Sequence, residues 1–385
     1  MKKFLALFML VVFGFCATLL TGCGKKNEEI VIGLSGPLTG GAAVYGQAVA
    51  NSAQLAVDEI NAAGGVNGYK LRLEALDDAH DPSKVSTNYA SLLEKGMQVS
   101  LGCVTTKPCL EFCKLSKEDS VFFITPSATG DAVVTEANAY QMCFADTRQG
   151  TFSARFVNEN VSKTTKIGIL YRNGDEYSEG IYNKFVAELD KGFATAVASF
   201  NEDNPADLSS QVELLKDCKF IFMPIYYTPA SIFMTQAVGK VASDAVYFGC
   251  DGLDGIDSSI EGFDINTIPQ EVSYLSHFNS KATTGAAKEY IDKYVAKYGA
   301  GTLNQFGASA YDCVYALAQA LKKIAEKNPD AVTPDAKPAD LCKLLQAEFN
   351  GDFTFTGVTG ANVKWTAEGF VDKQAVKYIV KEGSK

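Results

Sequence analysis

Between residues 30 and 82 the chain reads IVIGLSGPLTGGAAVYGQAVANSAQLAVDEINAAGGVNGYKLRLEALDDAHDP, and no other stretch narrows the fold as much. Ile30-Val31-Ile32 is the apolar run of a buried strand. A loop rich in Gly, Pro and Thr follows, from Gly33 to Gly46. Ala50, Ala53, Leu55, Ala56, Val57 and Ile60 then form the apolar stripe of a helix, which Asn61-Ala62-Ala63-Gly64-Gly65 stops. A second strand, Lys70 to Leu76, runs into Asp77-Asp78. This is a βαβ unit, the building block of a parallel doubly wound sheet. Such sheets bind ligands beyond the carboxyl ends of their strands, where the long first loop lies.

The alternation continues. Strands are expected at Val99–Val104, Val121–Thr125 and Gln141–Ala145, with helices at Cys109–Glu118 and Gln149–Glu159. A second set follows: strands at Lys166–Tyr171, Ala194–Phe200, Phe220–Tyr226 and Ala245–Gly249, separated by helices at Ser178–Leu189, Leu208–Lys216 and Ala230–Val238. Gly285–Tyr298, Ser309–Lys327 and Ala339–Phe349 read as helices, and Asn328–Pro338 as an exposed loop. Phe353–Lys381 reads as strands turning at Gly357, Gly360 and Gly369. Two α/β sets imply two lobes of similar design, and no solenoid repeat is present. The length of 385 residues suffices for both.

The first residues are read as an export signal. Lys2-Lys3 is a basic start, Phe4 to Leu20 an apolar stretch short for a membrane span, and Leu20-Thr21-Gly22-Cys23 a bacterial lipobox. Residues 1–22 are then a lipoprotein signal peptide, with Cys23 as the lipidation site. Residues 23–29 form a polar tether, and the mature protein stands on the outer face of the cell membrane. The net charge of −10 argues against a nucleic-acid partner. Of ten cysteines, Cys16 leaves with the signal and Cys23 takes lipid. The remaining eight, at 103, 109, 113, 143, 218, 250, 313 and 342, allow 105 full pairings. They lack the CxxC spacing of zinc or iron–sulfur sites. Buried thiols acting as small hydrophobes are the simplest reading.

Signs of catalysis are few. The two histidines, His80 and His277, lie in no zinc motif. GxSxG, SxxK with its partners, GxxxxGK(S/T) and a GxGxxG after a strand are all missing. A Cys–His nucleophile pair has many candidate cysteines and nothing that singles one out. Asp251, Asp254, Asp257 and Glu261 fail the EF-hand pattern at Leu253. No enzyme activity, metal or cofactor is expected.

Gly36-Pro37-Leu38-Thr39-Gly40, Tyr45-Gly46, the run Ala56 to Gly68 (AVDEINAAGGVNG), Asp77-Asp78, Asp81-Pro82, Pro126-Ser127-Ala128-Thr129 and Tyr311-Asp312 follow one another in order. This series closely resembles the leucine/isoleucine/valine-type solute-binding proteins of ABC importers, over nearly all of the mature chain. The resemblance implies the type I periplasmic-binding fold: two Rossmann-like lobes, each a parallel sheet flanked by helices, joined by three crossovers, with the ligand in the cleft between them. Lobe 1 would be 28–144 with 275–350, and lobe 2 145–274 with 351–385. The crossovers would fall near Cys143-Phe144, Tyr274-Leu275 and Asn350-Gly351. The implied function is that of a monomer carrying an amino acid, branched-chain or otherwise hydrophobic, to ABC permease subunits. A sensory role with amides or other small solutes is the alternative.

A free amino acid brings a carboxylate and an ammonium into a dry cleft, and both need partners. By the resemblance, Thr106 with its neighbour Thr105, and Ser127, Ala128 and Thr129, serve the carboxylate and ammonium through hydroxyls and backbone. The structural alternative for each is helix capping and loop chemistry. Asp251 would meet the ammonium, where relatives commonly carry a glutamate; otherwise it is a turn aspartate beside glycine. Tyr45, Tyr177, Tyr226 (preferred to Tyr227) and Phe306 would wall the pocket, or else fill lobe contacts. None of these positions is basic, which disfavours phosphate and dicarboxylate ligands. Some relatives bridge a cysteine after Asp77-Asp78-Ala79 to the loop bearing the hydroxyl contact; here that position is His80.

Overall fold

The computed structural model describes residues 28–203, 205–258 and 260–383. The signal segment and Cys23 lie outside them. Strand β1 (Glu29–Gly36) is buried along almost its whole length, as a parallel strand covered on both faces must be. It absorbs the start of the expected loop. Helix α1 (Ala43–Ala62) absorbs the end of that loop and buries Val49, Ala53, Ala56, Val57 and Ile60. Gly46 is where this helix meets the loop: a Cβ there would stand 2.1 Å from the Pro37 carbonyl oxygen. β2 (Lys70–Asp77) pairs parallel with β1, Ile30 opposite Leu71.

Helix α2 (Val85–Glu94), which the sequence reading missed, leads to β3 (Met97–Ser100), α3 (Thr106–Asp119), β4 (Phe123–Thr125) and β5 (Ala139–Gln141). The expected strand Gln141–Ala145 is displaced toward the N-terminus. Ala139 to Gln141 pair with Phe123 to Thr125, and Met142 to Ala145 leave the sheet. The order is β2-β1-β3-β4-β5, all parallel.

The chain then enters a second sheet through α4 (Asp146–Asn160), β6 (Ile167–Arg172), α5 (Glu176–Glu188) and β7 (Thr195–Phe200). It continues through α6 (Ser209–Leu215), β8 (Phe220–Met223), α7 (Tyr227–Ala237), β9 (Val246–Gly249) and β10 (Glu271–Ser276). β10, another element the sequence reading missed, completes the parallel set, whose order is β10-β9-β8-β6-β7. Both sheets are thus wound alike. Each reverses direction once, between β1 and β3 in the first and between β6 and β8 in the second, and a doubly wound sheet opens its ligand crevice at that reversal.

Helices α8 (Gly285–Tyr298), α9 (Gln305–Lys327) and α10 (Pro338–Phe349) return to the first lobe, α9 lying along α1. Gly307 permits the close approach, since a Cβ there would stand 3.0 Å from the Ala48 carbonyl oxygen. The segment after α10 corrects the expectation that all of 351–385 joins the second lobe. The Trp365 indole donates to the Gln141 carbonyl at 2.7 Å, and the Gln141 N–H donates to the Gly369 carbonyl at 3.0 Å. Residues up to Phe370 therefore seal the β5 edge of the first sheet. Only β11 (Val376–Lys381) reaches the second, antiparallel to β10. The burial of Trp365 against Phe349 and Phe353 holds the segment there.

Cys103, Cys109, Cys113, Cys143, Cys218, Cys250, Cys313 and Cys342 are all buried free thiols. Among the described residues no helix is long and apolar enough to cross a membrane.

Candidate functional site

The carboxyl ends of β1, β3 and β4 face those of β6, β8 and β9 across a narrow cleft with about 10 Å³ of free space. The first lobe lines it with Tyr45, Val104, Thr105, Thr106, Ser127 and Thr129, and with Phe306 at the start of α9. The second lobe supplies Tyr177, Tyr226, Asp251 and Gly252. Nine of the ten ligand-binding residues expected from the sequence meet in this one space. The tenth, Ala128, does not line it: its N–H donates to Thr125 Oγ1 and its carbonyl accepts from Gln141 Nε2. Val104 and Gly252 are lining residues that the sequence reading passed over.

Each position follows from local structure. Thr105 and Thr106 begin α3, which cannot start sooner because Thr105 is extended at ψ 150°. Thr105 makes no side-chain cap to its own helix; its Oγ1 instead meets His80 Nδ1 at 2.8 Å. The first-turn N–H groups of Thr106 and Lys107 thus stay free of a side-chain cap, and Pro108 has none to offer. Ser127 and Thr129 follow β4. The Ser127 hydroxyl donates to the Val104 carbonyl at 2.7 Å, and Thr106 Oγ1 accepts from the Gly130 N–H at 3.2 Å. The two strand-end loops are therefore tied into one hydroxyl-bearing wall at the positive end of α3.

The second lobe contributes a carboxylate held by an aromatic frame. Asp251 opens the turn after β9 and is 1% exposed. Its Oδ1 accepts from the Tyr177 hydroxyl at 2.9 Å, while its Oδ2 has no protein partner. Burial pushes its carboxyl up to about 7, although the Tyr177 and Gln149 hydrogen bonds oppose that. The Tyr177 hydroxyl also accepts from the Gly252 N–H at 2.9 Å. Its ring stacks on Tyr226, centroids 4.9 Å apart and 7° from parallel. A Cβ at Gly252 would stand 2.6 Å from the Tyr177 hydroxyl oxygen, so only glycine fits.

Tyr45 bridges the lobes. Its hydroxyl donates to the Gly252 carbonyl and accepts from the Tyr227 N–H at 3.3 Å. Its ring packs edge-on against Phe306 at 4.8 Å. Tyr227 lies beside the cleft, where its hydroxyl accepts from the Val44 N–H at 3.4 Å.

Sequence reasoning also missed the acid behind Thr129. Asp146, the first residue of α4, is 1% exposed; its N–H donates to the Thr129 carbonyl at 2.9 Å. Gln149 joins the two acids. Its amide nitrogen donates to Asp146 Oδ1 at 3.2 Å, and its amide oxygen accepts from the Asp251 N–H at 3.0 Å. Asp146 Oδ2, like Asp251 Oδ2, is buried without a partner. Burial, and then the Asp251 charge, raise the Asp146 carboxyl well above its usual range. The available signal was an aspartate three residues before a glutamine at a helix start. The cleft thus combines the buried, unpartnered Oδ2 of Asp251, a hydroxyl wall at a helix N-terminus, and aromatic sides. Among the described residues its lining holds no Arg or Lys. That chemistry suits a small zwitterion with an apolar side chain.

Known proteins resemble this chain over most of its length. The sequence profile of the family described as "Periplasmic binding protein" matches residues 29–380. The Leu/Ile/Val-binding protein BraC3 of Rhizobium johnstonii is 29% identical over 291 residues, covering 73% of this chain and 77% of that protein. The leucine-, isoleucine-, valine-, threonine- and alanine-binding protein of Pseudomonas aeruginosa is 26% identical over 333 residues, 83% of this chain and 85% of its own. Among solved structures, the branched-chain amino acid transporter substrate-binding protein LivJ of Streptococcus pneumoniae, in complex with isoleucine, superposes with a TM-score of 0.78. It is 25% identical and covers 92% of this chain and 98% of its own. The chain belongs to the periplasmic binding protein family, alongside the Leu/Ile/Val-type solute-binding proteins of ABC importers.

Proposed function

We propose that this protein is the lipid-anchored, extracytoplasmic solute-binding component of an ABC importer, and that its ligand is an α-amino acid with a branched-chain or other small apolar side chain. The observation that carries the reading is Asp251: a buried carboxylate with one oxygen unpartnered, facing a hydroxyl wall across a narrow aromatic cleft. An isolated buried charge is costly, and an incoming ammonium relieves that cost. Asp146 stands behind the wall, linked through Gln149 to the Asp251 N–H. The ligand carboxylate then lies at the N-terminus of α3, against Thr105, Thr106, Ser127 and Thr129. Tyr45, Tyr177, Tyr226 and Phe306 enclose the side chain. The free space of about 10 Å³ is room for about one water, so the lobes must part to admit the ligand. The relatives named for leucine, isoleucine and valine support the choice of side chain.

In this reading the lobes are 28–144 with 277–371, and 145–276 with 376–383. Residues of both contact the ligand, so binding favours the closed arrangement. The permease takes the ligand from that form, and the lipid on Cys23 keeps the protein beside it. The protein performs no catalysis. Thermal unfolding of the unlipidated mature domain against a panel of amino acids tests the assignment. A ligand at 100 times its Kd should add about 2.7 kcal/mol of stability, and a panel in which no amino acid shifts the transition would overturn it.

A further inference from the structure

His80 lies outside the ligand cleft but touches it from both lobes. It follows β2 in the left-handed region, at φ +64°, in a loop pinned by Asp78, whose Oδ1 accepts the His80 N–H at 2.9 Å. The ring is mostly buried, at 11% side-chain exposure. Nδ1 meets Thr105 Oγ1 at 2.8 Å. The ring edge packs against Tyr226 of the second lobe, centroids 5.3 Å apart and near perpendicular. Nε2 points across the cleft mouth to Asp203 Oδ1 at 3.6 Å. Asp203 is in turn paired with Arg172, which also stands 3.7 Å from Asp175, the residue that caps α5. His80 and Asp203 line the outer chamber, and Tyr226 lines both that chamber and the inner cleft.

We propose that His80 is a positioning residue for ligand binding: it draws the Thr105 hydroxyl away from its own helix so that the first turn of α3 stays open to the ligand carboxylate, and it locks this arrangement to the second lobe through Asp203. The proposal rests on the amino-acid reading above. Its logic is one of competition. A threonine at a helix N-cap ordinarily accepts from a first-turn N–H, and that donor is then lost to any bound anion. Thr105 does not do so: its hydroxyl is turned toward His80. The Asp203 contact adds a condition: the ring is held at both nitrogens only with the lobes together, so closure fixes the ring that turns the Thr105 hydroxyl away from α3.

The test is a double-mutant cycle on leucine affinity in the full mature domain, read by calorimetry. His80→Ala and Asp203→Ala should each raise Kd by about five- to tenfold, the range of a partly exposed charge-assisted contact. The double variant should be no worse than the poorer single one, because either change breaks the same linkage. Asparagine tolerates left-handed backbone. His80→Asn should therefore keep the Thr105 contact, lose the Asp203 contact, and copy the affinity of Asp203→Ala without the fold depending on alanine at that φ. Raising salt should weaken leucine binding in the wild type and much less in Asp203→Ala. Fully additive effects, or singles within twofold of wild type, would overturn the proposal. A wild type that binds no amino acid in the panel would instead remove the underlying reading and leave this linkage without a function.

Discussion

Replacing Asp251 by asparagine should make the unliganded protein more stable and the binding much weaker. Burial lifts this carboxyl from 3.8 to about 7 in the folded chain. The folded state therefore holds the proton more tightly than the unfolded state does. The resulting penalty is absent below about pH 4, grows between about 4 and 7, and is complete above 7. At about 1.4 kcal/mol per pH unit it reaches about 4 kcal/mol for this fully buried group. Asparagine removes the charge while its Oδ1 still accepts from Tyr177. Its NH₂ occupies the place where Oδ2 has no partner and costs about 1–3 kcal/mol as an unsatisfied donor. A net gain of about 1–3 kcal/mol at pH 8, shrinking to nothing or a loss near pH 4, should appear as a raised unfolding midpoint. Leucine, facing an amide instead of a carboxylate, should lose at least about a hundredfold in affinity, since a buried ammonium left without its counter-charge costs about 3–5 kcal/mol. Denaturant or thermal unfolding at both pH values, with calorimetry at pH 8, reads both effects. A variant that binds like wild type, or is less stable at pH 8, refutes the argument that this carboxylate is kept strained for an ammonium.

The same raised carboxyl makes binding proton-linked. Below about pH 7 the ligand must displace a proton from Asp251, so affinity should fall by up to about tenfold per pH unit; a Kd constant from pH 7.5 to 5.5 would contradict this. Gly252→Ala should abolish binding with a modest loss of stability, because the new methyl group meets the Tyr177 hydroxyl; unchanged affinity would show that the tyrosine can move aside. Tyr45→Phe deletes the hydrogen bonds to Gly252 and Tyr227 that join the lobes. It should raise Kd by about tenfold while leaving the fold intact, as a titration alongside circular dichroism would reveal.

The cleft was legible in the sequence to the extent that it is built from strand ends. Thr106, Ser127, Tyr177 and Asp251 each sit just past an apolar run, and a doubly wound sheet must bring such positions to one side; Tyr45, in the first turn of α1, was marked by the resemblance alone. The missed features depend on packing. Asp146 reads as an ordinary helix start until burial and Gln149 place it beside Asp251. Residues Phe353 to Phe370 alternate like strands, but their destination is decided by Trp365 reaching Gln141, a contact across 224 positions. α2 escaped because it buries only Val85, Tyr89 and Leu92, and β10 because a parallel strand buried on both faces carries no alternation. In the sequence His80 lies in no zinc motif and stands where some relatives carry a cysteine. Its hydrogen bond to Thr105 connects the same two loops without a covalent bond.

The central claim is that one cleft recognises both charges of an amino acid. The most direct measurement is a calorimetric titration of the mature domain with leucine, with 4-methylpentanoate, which lacks the ammonium, and with 3-methylbutylamine, which lacks the carboxylate. The account predicts saturable one-to-one binding of leucine and, for each analogue, affinity lower by at least about a hundredfold, the cost of leaving buried partners unpaired. Binding of 4-methylpentanoate as tight as that of leucine would contradict it, because Asp251 would then have no ammonium to meet.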